Sequence, residues 1–545
     1  ANWNSATDTY WAGKNYGKVA ELAAIARAIG MTTEADQMVN WLKAELQDWF
    51  RANTNGGSDT TKYFAYDSNW NTLLGFDESF GAQQQLNDHH FHYGYFVRAA
   101  AEICRIDASW CSATQYGPMV ELLIRDYAAG RDDAMFPYVR FFDPAYGFSW
   151  ASGHANFVLG NNNESTSEAA NAYGAIILYG QITGNTALTE RGMYLHASST
   201  AAYWEYWNNL DRYRGLTGDY DNFDSAYPKM TTSIIWGNGH VFGTWFSGAY
   251  AHILGIQGLP LSPLVLHIGQ PPDYLANHVT LGMTESSNGK PSGLPNGQWR
   301  DVWWNIWAMT NGQAAVNDMQ SYGFNYTPEE GETKAHTYQW IYTLKQLGTL
   351  ATGTGALTAN SPSAVAFDKA GVKTYLAYNF DCSAQYVSFS DGMKLAVPAK
   401  GFRIKKTGEA VDANPGTTTC SGSSSSASSS VVSSVASSVA SSVVSSSSSS
   451  VASGNGHTIL TSTSAKFFAN NAPWADIHYT INNGPQQNVR MTHNADNTNT
   501  YTVTGIPAGA VVKYFYTIGL AAGGALDPAW VSFTMSATPS AASSS

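Results

Sequence analysis

Basic residues are scarce in this chain. Only 29 of 545 residues are Lys or Arg, against 41 Asp or Glu, a formal net charge of −12. A phosphate backbone or an anionic membrane surface calls for a cationic face, so neither a nucleic acid nor a membrane is expected as a partner. Long apolar runs are missing as well: stretches such as "AIILYG" at 175–180 are far too short to cross a bilayer. The first residues, "ANWNSATDTYWAGK", show no charged segment followed by an apolar one. They are polar and aromatic from the outset, so a leader is expected to have been removed and the protein to be secreted. Cysteines are few, and the four fall as two local pairs, Cys104 with Cys111 and Cys382 with Cys420. An even count in a secreted chain permits two disulfides without fixing either.

Aromatic rings, by contrast, are plentiful: 18 Trp, 31 Tyr and 23 Phe. Flat apolar rings on a weakly charged surface suit the faces of sugars, although most of them must serve as core. The length predicts two to four domains.

Composition marks the clearest boundary. Residues 421–455 open with an almost unbroken run of Ser, Val and Ala, which cannot bury enough apolar surface to offset its ordering entropy, and a flexible tether is expected there. Before it, residues 1–352 read mainly as helices. Val19, Leu22, Ile25, Ala26 and Ile29 form one helical stripe, ended by Gly30. Thr33-x-x-Asp36 then looks like a capping signal for a second stripe of Met38, Leu42, Leu46 and Trp49. Similar units recur to about residue 350, separated by long aromatic, Gly-rich loops at 131–163 and 213–241. A mainly α toroid carrying its function on loops fits this pattern. Residues 353–420 change to short strands, expected to pack on the toroid, and 456–538 read as a small β-sandwich. A sandwich on a tether suits a module that holds an enzyme near an insoluble substrate.

Two stretches carry titratable side chains in unusual density. The first, "NDHHFHYGY" at 87–95, holds Asp88, His89, His90 and His92. On a helix His89 and His92 share a face while His90 points elsewhere, which matches neither a zincin nor a zinc-ribbon spacing, so no metal is expected. Hydrogen-bonded histidines between packed helices are the plain alternative. For Asp88 the plain alternative is an N-cap. The functional reading is a carboxyl group crowded by rings, whose raised pKa suits a general acid. The second stretch, "GNNNESTSEAANAYGA" at 160–175, holds Glu164 and Glu168 four residues apart, on one face at a helix start. Ser165-x-x-Glu168 matches a capping box, which explains Glu168 structurally and leaves Glu164 without such an explanation. Glycoside hydrolysis needs two carboxyl groups, but spacing alone does not license pairing Asp88 with a glutamate.

The segments "NDHHFHYGYF" (87–96), "RFFDPAYGFSWASG" (140–153) and "NNNESTSEAANAYGA" (161–175) strongly resemble glycoside hydrolase family 81, the endo-β-1,3-glucanases. "TDTYWAGKNYGKVAELAAIA" (7–26), "WGNGHVFGTWFS" (236–247) and "GLPLSPLVLHIGQPPDYL" (258–275) resemble it too, so the likeness spans roughly 1–350. The resemblance implies an (α/α)6 toroid and hydrolysis of β-1,3-glucan with inversion and without a metal; no cofactor is expected, and a monomer is. It implies Asp88 as general acid and Glu164 as the base that activates water. Glu168 would assist or take the base role itself, the capping box tilting the choice to Glu164. His92, Tyr93 and Trp150 would line the cleft. Family members usually carry a large N-terminal β-sandwich before the toroid, whereas the numbering here starts at the toroid. The segment "FFANNAPWADIHYTINNGPQQNVRMT" with "VVKYFYTI" resembles carbohydrate-binding module family 56 and implies binding of β-1,3-glucan. Trp474, His478, Arg490 and Trp530 are its candidate sugar contacts, with Trp474 favoured and Trp530 open to a core role. Two other classes compete: a polysaccharide lyase on a similar toroid, disfavoured by the shortage of Lys and Arg, and a non-catalytic glucan binder.

Overall fold

The computed structural model describes the chain except residues 1–2, 4–5, 54–55, 214, 216–221, 225, 285–298, 352–356, 417–454, 471, 483, 485–486, 520–524, 527–529, 536–542 and 545. The expected tether, apart from Asn455, therefore lies outside the described residues. The chain divides into two compact units, residues 1–429 and 430–545.

In the first unit the described α-helices are α1 (Thr9–Ala28), α2 (Thr32–Trp49), α3 (His89–Ile106), α4 (Gly117–Ala128), α5 (Thr166–Thr183), α6 (Thr186–Ala202), α7 (Leu210–Tyr213), α8 (Tyr250–Gly255), α9 (Pro272–Thr284), α10 (Arg300–Tyr322) and α11 (Lys334–Leu347). Asp8 starts α1: its side chain accepts from the N–H groups of Tyr10 and Trp11, both at 2.9 Å. The capping signal expected at Thr33 is not used. Helix α2 begins at Thr32 without a side-chain cap, and Asp36 pairs with Arg27 of α1 at 2.5 Å.

Helices α3 and α5 are buried almost all round, including His89–Cys104 along most of α3, so neither has a polar face. They approach closely where Gly94 meets Ala172: a Cβ on Gly94 would fall 2.4 Å from that of Ala172. Helix α1 packs on α3, α3 on α5, α5 on α6, and α11 returns to α1. One apolar core gathers around α1–α5 with Trp49, Tyr127 and Tyr173; a second gathers Trp207, Trp303 and Trp304 with α8–α11. Cys104 and Cys111 form a disulfide that ties the end of α3 to the loop before α4. Cys382 is also disulfide-bonded, and Cys420 lies outside the described residues.

The strands Thr349–Leu350, Ala364–Lys369, Val372–Asn379 and Gly401–Lys406 form an antiparallel sheet. Phe367 enters the second helical core, and Ser363 Oγ donates to Gln181 of α5 at 2.6 Å. In the second unit, strands Gly456–Thr461, Ser464–Asn470 and Thr498–Thr504 lie in one antiparallel sheet. Strands Ala475–Ile481, Gln487–Arg490 and Val511–Gly519 lie in another. Alternate residues such as Phe467, Ile477, Val503, Val512 and Tyr514 fill the space between them, the packing of a β-sandwich.

Candidate active site

Two helix starts meet at one cleft. Asp88 occupies the N-cap position of α3, yet its side chain makes no capping bond and its backbone is left-handed, φ 61° and ψ 13°. Its N–H donates to Ala151 O at 2.8 Å, which fixes the turn, and its carbonyl accepts from His92 N at 3.0 Å. The carboxyl group is free to face the cleft. Burial pushes its pKa well above the ordinary value, and the charges of Glu168 and then Glu164 push it further.

Glu164 lies just before α5. One carboxyl oxygen accepts from Trp245 N at 2.9 Å, and its carbonyl accepts from the Gln257 side-chain amide. Burial raises its pKa to about 7; the Trp245 N–H opposes that rise and the Glu168 charge adds to it. Glu168 stands in the first turn of α5, and its N–H donates to Ser165 Oγ at 3.3 Å. That is half of the expected capping box. The other half is replaced, because Glu168 Oε1 accepts from Tyr95 OH at 2.8 Å and the carboxyl group is also in hydrogen-bonding contact with the Tyr10 hydroxyl.

Asp88, Glu164, Glu168 and His92 all line a cleft of about 680 Å³, within the range usual for ligand sites. Its walls include Trp11, Phe80, Phe157, Trp245, Phe246 and Trp299. Trp245 and Phe246 are each 56% exposed, so their ring faces are available to an incoming molecule. None of these rings was singled out individually in the sequence, although Trp11, Trp245 and Phe246 lie inside the segments "TDTYWAGK" and "GTWFS". Trp299, at the start of α10, carries no local signal.

The histidines part company. His89 places Nδ1 2.8 Å from Asp126 and Nε2 2.6 Å from Ala82 O, both deep in the core. His90 pairs with Ser149 Oγ at 2.9 Å, and burial lowers its pKa to about 3. His92 meets Thr9 Oγ1 at 2.8 Å and is held neutral by burial. Among the described residues no group of three or more His, Cys, Asp or Glu could hold a metal ion.

Two expected cleft residues lie elsewhere. Tyr93 is fully buried, its hydroxyl donates to Leu73 O at 2.8 Å, and its ring packs edge-on against Phe64. Trp150 gives its indole N–H to Asp143 at 3.0 Å and packs against Phe148, while its neighbours Ala151 and Ser152 line the cleft instead.

On the sandwich the expected order of the two tryptophans reverses. Trp474 is covered on one side by the Arg490 guanidinium, 4.2 Å from its ring, and lies against Gly519, where a Cβ would sit 2.4 Å from its Nε1. Trp530 is 50% exposed and is not core. It stands 4.6 Å from Phe515, which stacks at 4.3 Å on His478, so the three rings form a ladder on one sheet face.

Asp88, Glu164 and Glu168, converging among exposed rings in a cleft that Lys14 and Glu329 also line, supply the carboxyl groups that glycoside hydrolysis needs. Comparison with known proteins narrows the class. Residues 1–342 match the model of the glycosyl hydrolase family 81 C-terminal domain, and residues 455–527 match carbohydrate binding module family 56. A glucan endo-1,3-beta-D-glucosidase of Acetivibrio thermocellus is 39% identical over 406 residues, 74% of this chain and 50% of that protein. One from Thermobifida fusca is 38% identical over 397 residues, 73% of this chain and 50% of that protein. A solved structure of a mutant glycoside hydrolase family 81 from Clostridium thermocellum is 38% identical with a TM-score of 0.68, covering 74% of this chain and 53% of that one. The chain belongs to glycoside hydrolase family 81. It spans about half the length of the curated relatives it matches.

Proposed function

We propose that the chain hydrolyses internal β-1,3-glucosidic bonds of β-1,3-glucans with inversion. The observation that carries this reading is the convergence of Asp88, Glu164 and Glu168 in one ring-walled cleft, on a chain whose family relatives are glucan endo-1,3-beta-D-glucosidases. Asp88 is the general acid. It is kept protonated by burial and by neighbouring negative charge, and so can give its proton to the leaving oxygen. Glu168 takes the base role in preference to Glu164. Of the two glutamates it exerts the larger charge effect on Asp88, and its carboxylate accepts from Tyr95 and contacts Tyr10 rather than capping its own helix. Glu164, titrating near neutral pH, assists in holding the water.

Inversion requires about 6.5–9.5 Å between acid and base, room for one water. The return of α11 to α1 supports the (α/α)6 toroidal reading. The match to carbohydrate binding module family 56 supports glucan capture by the sandwich, with residues 421–455 as its tether. The Cys104–Cys111 disulfide supports action outside the cell, and a monomer suffices because all three carboxyl groups come from one chain. Proton NMR of laminarin immediately after enzyme addition tests the reaction: α reducing ends appear first. A β signal first would mean a retaining nucleophile. Azide added to the Glu168→Ala and Glu164→Ala variants then identifies the base, since only the variant lacking it should recover turnover.

A further inference from the structure

A buried lysine with no part in the proposed reaction also lines the cleft. Lys14, on α1, is 5% exposed. Its Nζ donates to the Tyr10 hydroxyl at 3.3 Å and stands 5.1 Å from the Tyr10 ring and 5.5 Å from the Trp11 ring. The Tyr10 hydroxyl in turn contacts Glu168, and Tyr95 donates to Glu168 Oε1 at 2.8 Å. Burial, and then the Glu168 charge, keeps both phenols protonated. The hydrogen-bond direction is thereby fixed: ammonium to phenol oxygen, phenol hydrogen to carboxylate.

The lysine stem is held from the far side. Gly331, at φ 92°, lies so close that a Cβ there would sit 2.9 Å from Lys14 Cε. Lys14 also walls a second cavity of about 30 Å³, room for one water. Asn171 lines that cavity too, and its amide nitrogen has no partner. A buried ammonium is costly unless charge surrounds it. Burial lowers the Lys14 pKa from its ordinary value; the charges of Glu168 on α5 and of Glu329 and Glu330 before α11 oppose that fall, and Lys18 on α1 adds to it. Tyr95 and Arg98 of α3, Glu21 of α1, and Glu332 and His336 face it across the small cavity.

We propose that Lys14 is a positioning residue: through Tyr10 it orients the Glu168 carboxylate in the cleft that Glu168 shares with Asp88. This rests on the base role given to Glu168 above.

The test uses the full chain with Lys14→Met and, should that variant fold poorly, Tyr10→Phe, which removes only the linking hydroxyl. The expected result is an acid limb of kcat moved upward by about one pH unit in Lys14→Met. Tyr10→Phe moves it the same way by less, with KM within about threefold of the starting protein. An unmoved limb, with kcat and melting temperature falling together, would make Lys14 structural and overturn the proposal. So would a raised KM with kcat intact, the mark of direct substrate binding. A second readout does not need turnover: 13C-carboxyl glutamate labelling, with Glu168→Gln assigning the signal. If Glu168 discharges at the same pH in the parent and in Lys14→Met, the proposal fails. If it discharges at higher pH in Lys14→Met while the parent cleaves no glucan, the positioning stands and the reaction reading falls.

Discussion

Gly94→Ala tests whether the contact between α3 and α5 sets the catalytic geometry. A glycine inside a helix costs about 1 kcal/mol relative to alanine, so its presence there calls for a packing reason. The reason is Ala172. A Cβ at position 94 would lie 2.4 Å from the Ala172 Cβ and 2.7 Å from its Cα, where ordinary contact begins at 3.4 Å. The two helices must therefore part by about 1 Å. Overpacking of this size costs about 1–3 kcal/mol, partly offset by the better helix propensity, so the melting temperature should fall by only a few degrees. Activity should suffer far more. Asp88 stands at the start of α3 and Glu168 in the first turn of α5, and a 1 Å misplacement of catalytic groups costs about a hundredfold. Reducing-sugar release from laminarin reads kcat, and differential scanning fluorimetry reads the melt. Adding Ala172→Gly reopens the space and should recover most of the lost rate. A Gly94→Ala variant with normal kcat would refute the idea that this crossing fixes the gap between acid and base.

Asp301, 1% exposed, has its pKa raised from 3.8 to about 7 by burial and, secondarily, by the Glu332 charge. The folded state keeps a proton that the unfolded chain loses first, so stability falls as pH rises from about 4 to 7, by at most about 1.4 kcal/mol per unit. Asp301→Asn should flatten the decline of melting temperature across that window, and an unaltered slope would show that Asp301 does not cause it. Tyr93→Phe leaves Leu73 O without its partner and should cost about 1–3 kcal/mol in urea unfolding with kcat unchanged. A loss of kcat at full stability would return Tyr93 to the cleft. Trp530→Ala should weaken pull-down on insoluble β-1,3-glucan at least about tenfold, the range of an aromatic hot spot, while leaving activity on soluble laminarin intact. Trp474→Ala should act mainly on the stability of the sandwich, and an equal binding loss in both variants would contradict the difference in their exposure.

The sequence separated the helical and strand-rich regions because their periods differ, and Val19, Leu22, Ile25 and Ala26 of the expected stripe fall on α1, whereas Ile29 is its exposed C-cap. It failed where a helix has no solvent face. Every residue of "HHFHYGYF" is buried in α3, so no polar side separates rings that face the cleft from rings that face the core. His92 and Tyr93 are neighbours in the same run, yet one lines the cleft and the other bonds Leu73. Trp150 was misread for a different reason: a local partner, Asp143, takes its N–H. The cleft rings Trp11, Trp245 and Trp299 come from distant loops and helix starts, where hydrophobic periodicity has nothing to report.

Backbone conformation separates capping from catalysis in a way that residue type cannot. Asp8 and Asp88 have nearly the same sequence setting, an aspartate before a helix rich in aromatic side chains. Asp8 has the extended backbone usual at an N-cap, φ −99° and ψ 160°, and its carboxylate turns onto Tyr10 N and Trp11 N. Asp88 is held left-handed by its bond to Ala151 O, and no such capping bond forms. The orphan N–H groups of α3 thus lose a cap, and the cleft gains a carboxyl group with no competing partner in its own helix. Glu168 shows the same division within one capping box. Ser165 takes the backbone N–H, as the motif predicts, while the glutamate side chain that should complete the box is drawn to Tyr95 and Tyr10 instead. In both places a local rule is half obeyed, and the unfulfilled half is the group that faces the cleft.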